Sequence, residues 1–129
     1  MDVFRTHGAF SWCELMTTDP DAAREFYTKL FGWGSKAMEM SSGQYTTLQV
    51  GDASIAGMMK IPPEAQGMPP NWGCYVTVDD VEASCARVKQ LGGKVLKPGF
   101  DIPTVGRMAV IQDPQGAVLS IIAYSMPSS

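Results

Sequence analysis

Apolar positions in this chain follow two spacings, and the spacings change in the same order twice. Residues 10–17 read as a strand. Thr18-Asp19-Pro20 then supplies a cap and a proline at the first helical position, where the missing N–H costs nothing. Ala23, Phe26, Tyr27 and Leu30 recur at i, i+3, i+4 and i+7, the buried stripe of a helix, and Gly32 stands where a left-handed C-cap belongs. Three short strands are predicted at 35–40, 45–50 and 53–59. Ser41-Ser42-Gly43 and Gly51-Asp52 supply their hairpin turns.

Residues 61–71 read "IPPEAQGMPPN", with four prolines in eleven residues. That density excludes a helix or a central strand, so the stretch is a linker. The order then repeats. A strand at 72–78 runs to Asp79 or Asp80 as helix cap. Val81, Cys85, Val88 and Leu91 share one helical face, and Gly92-Gly93 closes the helix. Strands at 94–97, 107–112 and 117–124 follow, the last pair joined by "DPQG" at 113–116. Each half is strand-helix-strand-strand-strand, offset by 60 or 61 residues. One half alone would leave a sheet face bare. Two halves can place their helices outside a shared sheet and enclose a concavity inside it.

Composition adds exclusions. The 129 residues suit a single domain, with module one at about 8–60 and module two at about 72–125. At 45% hydrophobic and 18% charged the chain is not disorder-like. A formal charge of −3 with scattered basic residues gives no footprint for nucleic acid or an anionic membrane. No stretch approaches the length of a membrane span, and the start has no apolar signal core. Cys13, Cys74 and Cys85 are odd in number and form no C-x-x-C pair, so they read as small buried hydrophobes. A cytoplasmic protein is the expectation. The nine methionines point to an adaptable core or a pliable pocket lining.

The segments "DPDAAREFYTKLFGW" (19–33), "VTVDDVEASCARVKQLGGKV" (76–95) and "GRMAVIQDPQGAVLSII" (106–122) carry a resemblance. In their order and spacing the chain resembles the vicinal oxygen chelate superfamily, that of glyoxalase I, bleomycin-resistance proteins and extradiol dioxygenases. The resemblance covers roughly residues 8–125. It implies an α+β fold in which two tandem βαβββ modules form a curved mixed sheet around a pocket, with the helices outside. It also implies a metal site in enzymatic members, with His, Gln and Glu ligands in the first and fourth strands of each module. The matching positions here hold Trp12, Gly73 and Ser120, while "SIAGMMK" (54–60) has no Asp, Glu or His. An indole, a hydrogen and a neutral hydroxyl are not the donors of a catalytic zinc, nickel or iron site. The only histidine, His7, precedes the first strand. No metal and no cofactor are expected.

Period-two alternation places Trp12, Glu14 and Met16 on one face, Gly73, Tyr75 and Thr77 on another, and Ser120 with Val118 and Ile122. If these faces line the cavity, they give an aromatic wall with one carboxylate and some hydroxyls, as a small-molecule site requires. Tyr45, Met58 and Met59 are further lining candidates, and Arg107 is a candidate clamp for a ligand carboxylate. Glu14 in mid-strand is solvated in a pocket, paired with a base such as Arg107, or exposed. The leading expectation is a metal-independent binder of a small apolar or aromatic molecule, homodimeric as the drug-sequestering members of the family usually are. The alternative is an enzyme of lyase, isomerase or dioxygenase type. It would use metal ligands outside the aligned positions, or metal-free acid–base chemistry on Glu14.

Overall fold

A computed structural model describes residues 1–40, 43–65 and 67–125. The predicted turn at Ser41-Ser42 therefore lies outside the described residues. The element order is β1 (Phe10–Thr17), α1 (Pro20–Phe31), β2 (Gly34–Met40), β3 (Gly43–Val50), β4 (Ala53–Lys60), β5 (Asn71–Thr77), α2 (Val81–Gln90), β6 (Lys94–Ile102), β7 (Gly106–Gln112) and β8 (Val118–Tyr124). The linker carries a 3-10 turn at Pro63–Ala65. The chain divides into two compact units, Trp12–Gly73 and Met1–Ser11 with Cys74–Ser129.

Each unit builds the same sheet. In the first, β2 pairs antiparallel with β3, β3 antiparallel with β4, and β4 parallel with β1. In the second, β6–β7 and β7–β8 are antiparallel and β8 runs parallel to β5. A crossover helix followed by a three-stranded meander returns the last strand beside the first, so both repeats close as mixed sheets. The caps are those the sequence predicts. The Asp19 and Asp80 carboxylates accept from the backbone N–H of Ala22 and Ala83, and Gly32 is left-handed at φ 73°.

One strand exceeds its expectation. β6 runs on to Ile102, with register shifts on either side of Lys97. Pro98 donates no ladder hydrogen bond, and an outer strand of the unit absorbs the break as a bulge.

The helices differ more than their sequences suggest. In α2, Val81 and Cys85 are buried and join Val78, Ala109 and Ile121 in a core flanked by Val95, Ile111 and Ala123. In α1 no residue is buried, which corrects the core stripe expected at Ala23, Phe26, Tyr27 and Leu30. The α1 aromatics instead pack on one another and on Trp33 and Trp72. Core packing in this unit comes from one sheet face, where Leu15, Thr46, Leu48, Ala56 and Met58 are buried. Leu15 pairs with Met58, and Met58 with Thr46, so these side chains share a side of the sheet. Cys13 and Cys74 are exposed and only Cys85 is buried, so the buried-hydrophobe expectation holds for one thiol of three.

Candidate functional site

The site begins with the alternation of β1. Trp12, Glu14 and Met16 project to the face opposite Leu15. Register then extends this face across the unit. Met16 lies opposite Met59, Met59 opposite Tyr45, and Tyr45 opposite Met38, a row that crosses all four strands. The neighbouring row holds Glu14, Gly57 and Thr47.

Tyr45 links the two rows. Its ring passes over Gly57, where a Cβ would collide with it. The hydroxyl donates to Glu14 Oε2 at 2.7 Å and accepts from Trp12 Nε1 at 2.9 Å. An indole N–H can only donate, so the chain of bonds runs from Trp12 through Tyr45 to Glu14. Glu14 is only 7% exposed, so the carboxyl group is held among protein partners rather than in bulk water. The exposed alternative for Glu14 is thereby excluded, and its carboxylate bonds Tyr45 while Arg107 pairs with Glu82 and Asp101. Around it the thioethers of Met16 and Met59 are half-buried, and that of Met38 is exposed.

The other predicted residues are distributed as follows. Gly73 lies within reach of Glu14: a Cβ there would meet only the Glu14 carbonyl oxygen, at 3.9 Å. Tyr75 and Ser120 are in the other unit, directly opposite each other, with Val110 completing their row. Tyr75 is buried and Ser120 half-buried.

Two candidates lie away from this face. Met58 projects to the packed face with Leu15 and is 1% exposed, because it is one residue out of phase with Gly57. Arg107 alternates with Met108, placing it on the α2 side of its sheet. There it forms a bidentate pair with Glu82 at 2.9 Å, reaches Asp101 at 3.1 Å and donates to the Gly99 carbonyl. Gly99 makes room for this pair, since a Cβ would meet both the Glu82 carboxylate and the Arg107 guanidinium. The hydrogen bond from Arg107 holds the Glu82 carboxyl below its usual range, and the Glu82 and Asp101 carboxylates push the guanidinium pKa higher. In this arrangement Arg107 ties its strand to α2 and to the β6 strand. Its sequence position at a strand start does not distinguish this role from a ligand clamp.

Sequence reasoning misses Gly57 and the bond between Tyr45 and Glu14. A glycine in mid-strand is the available signal, because it marks close approach of another group. Met38 is missed for a different reason: its row is visible only once the register is fixed.

Among the described residues, no group of three or more His, Cys, Asp or Glu could hold a metal ion. Trp12, Gly73 and Ser120 add no suitable donor, so the metal that the family resemblance implies does not fit the residues present.

The model of the Glyoxalase/Bleomycin resistance protein/Dioxygenase superfamily matches residues 9–121. The protein named "Putative glyoxylase CFP32" of Mycobacterium tuberculosis is 42% identical over 116 residues, covering 89% of this chain and 44% of the relative. The anthracycline biosynthesis protein DnrV of Streptomyces peucetius is 32% identical over 127 residues, covering 88% of this chain and 46% of the relative. The chain thus spans about half the length of these relatives. Among solved structures, the methylmalonyl-CoA epimerase of M. tuberculosis is similar at TM-score 0.62 and 17% identity, over 89% of this chain and 86% of that one. A hypothetical protein of Bacillus halodurans, BH1468, is similar at TM-score 0.69 and 13% identity, over 96% and 99%. At these identities the structures establish fold alone.

Proposed function

The chain belongs to the glyoxalase/bleomycin resistance protein/dioxygenase superfamily, and from that premise we propose that it binds a small apolar or aromatic molecule without a metal. The ligand lies on the face that carries Trp12, Tyr45 and Glu14. The observation that carries this reading is the Tyr45–Glu14 hydrogen bond at 2.7 Å, flanked by the row Met38–Tyr45–Met59–Met16. Thioethers and aromatic rings adapt to flat apolar surfaces, and a single held carboxylate orients whatever polar group the ligand bears. A planar aromatic ligand is the favoured class, in keeping with the anthracycline biosynthesis names of the Streptomyces relatives.

The same hydrogen bond favours a second reading. The sequence shows Glu14 with no second catalytic group, and the structure supplies Tyr45 beside it. Metal-free proton transfer would use Glu14 as base toward a carbon acid, with Tyr45 holding the carboxylate.

The test is ligand titration by thermal shift against planar aromatic compounds, with elemental analysis of the same untagged preparation. Saturable stabilisation, lost in Trp12→Ala and with near-zero metal, is the expected result. One transition metal per chain would overturn the metal-free reading. Exchange of a substrate C–H proton with deuterated solvent, abolished in Glu14→Gln while binding persists, would replace binding alone with catalysis.

A further inference from the structure

Residues 1–9 precede β1 and have no counterpart in the repeat, yet they pack with the second unit. The Gly8 N–H donates to the Thr77 carbonyl and the Thr77 N–H to the Ala9 carbonyl, each at 2.8 Å. The Thr77 hydroxyl donates to the Val3 carbonyl at 2.7 Å. Phe4 sets its ring edge-on to Tyr124 at 5.2 Å, and the Asp79 N–H donates to His7 Nδ1 at 3.0 Å. The repeat shows what lies beneath. Strand register sets Thr77 opposite Ile122, Ile122 opposite Met108 and Met108 opposite Phe100. Tyr124 is on the same side of β8 as Ile122. This row is the second repeat's counterpart of Met16–Met59–Tyr45–Met38. The two rows differ in cover. Met16, Met59 and Tyr45 are half-buried and Met38 is exposed, whereas Thr77, Ile122 and Met108 are 3%, 2% and 5% exposed.

We propose that residues 1–8 are a displaceable internal occupant of this row, and that a small aromatic anion takes the row when the segment leaves. The segment is built to move as a piece. Asp2 accepts from the Phe4 and Arg5 N–H groups and from the Thr6 hydroxyl, so much of its hydrogen bonding is internal. Its hold on the sheet is one ring edge and a few neutral hydrogen bonds, the strength of a local opening rather than of global unfolding. The charge of the ligand follows from Lys97. This residue lies opposite Val110 in the neighbouring row, and its ammonium sits 4.1 Å over the Phe100 ring. A cation at the end of an apolar row suits an aromatic ring bearing a carboxylate or sulfonate. The first-repeat face carries the Glu14 carboxylate instead, so the two faces select different ligands. The link to the first-repeat reading is the equivalence of the two rows.

The test uses the full chain in a Trp12→Ala background, which keeps the first-repeat face out of the readout. Phe4→Ala with His7→Ala loosens the segment and leaves the row intact. The probe is anilinonaphthalene sulfonate, an aromatic anion, and hydrogen exchange at the Gly8 amide reports release of the segment. The expected result is faster Gly8 exchange with cooperative urea unfolding retained, and probe binding tightened by about tenfold or more as the open fraction rises. A synthetic peptide of residues 1–8 at millimolar concentration, that of a short tether, should reverse the binding. Lys97→Glu should abolish it. Release of the segment without tighter probe binding overturns the inference. So does probe binding that the peptide leaves in place, which would mark partial unfolding, or that is indifferent to Lys97→Glu. Unchanged Gly8 exchange in the double variant overturns it too, because Phe4 and His7 would then not hold the segment.

Discussion

The phenol ring of Tyr45 lies across Gly57 and occupies the volume that any side chain at position 57 would need. This notch in β4 is what brings the hydroxyl to Glu14 and Trp12. Gly57→Ala should therefore act at a distance from its own backbone. The added methyl forces Tyr45 to rotate away and breaks both hydrogen bonds. Overpacking of this kind costs about 1–3 kcal/mol. The expected outcome is a lower urea midpoint, retained far-UV circular dichroism and loss of ligand-induced stabilisation. An unchanged midpoint would mean that the ring is not seated over the glycine.

Tyr45→Phe and Glu14→Gln should be coupled. Removing the phenolic O–H takes a donor from a buried carboxylate and an acceptor from the Trp12 indole, a loss of about 1–3 kcal/mol. Glu14→Gln keeps an acceptor oxygen but removes its charge. If the 2.7 Å bond exists in solution, the double variant will be more stable than the sum of the single losses implies. A double-mutant cycle in urea should give an interaction energy of about 0.5–3 kcal/mol. Simple additivity would remove the basis of the site.

How much of this was legible in the sequence depended on range. Local chemistry was: Asp19 with Pro20, Asp80 and Gly32 set helix ends through contacts within a few residues, and the structure keeps them. The duplicated element order was legible for the same reason, and so was the shared face of Trp12 and Glu14. Choices that depend on pairing were not. Met58 and Met59 are adjacent, and only the register of Gly57 against Glu14 shows which of them faces the site. Arg107 could serve a ligand or a helix equally well until Glu82 is brought to it across 25 residues. The α1 stripe has the right period for burial, yet period alone does not provide something to cover it.

The Arg107–Glu82 pair makes a pH prediction. The hydrogen bond from Arg107 holds Glu82 below its ordinary value, and a smaller desolvation effect opposes it only in part. A folded-state pKa depressed in this way stabilises the protein above the unfolded value of about 4.3 and loses that stabilisation as pH falls through the folded value. Thermal midpoints of the native chain should thus fall between about pH 5 and pH 3 more steeply than those of Glu82→Gln. Arg107→Lys should resemble Glu82→Gln, because an ammonium cannot reproduce the two-pronged contact. Parallel curves for native and variant proteins would show that the pair contributes nothing in solution, which is a frequent fate of exposed ion pairs.

The three thiols should separate cleanly by reactivity. The thiolate is the reacting species, so rate follows both access and acidity. Cys13 and Cys74 are exposed, whereas Cys85 is 9% exposed within the α2 core. Burial pushes the Cys85 thiol pKa up, and the nearby Glu82 charge pushes it further, against weaker opposing effects from Lys89 and Arg107. Access and acidity therefore act in the same direction at Cys85. With a disulfide reagent near pH 8, two thiols per chain should react in a fast phase and the third only on unfolding. The slow phase should then report the opening of the core around Val78, Val81 and Ile121, and destabilising that core with Val81→Ala should accelerate it. Three fast thiols in the native protein would show that α2 does not stay docked on its sheet.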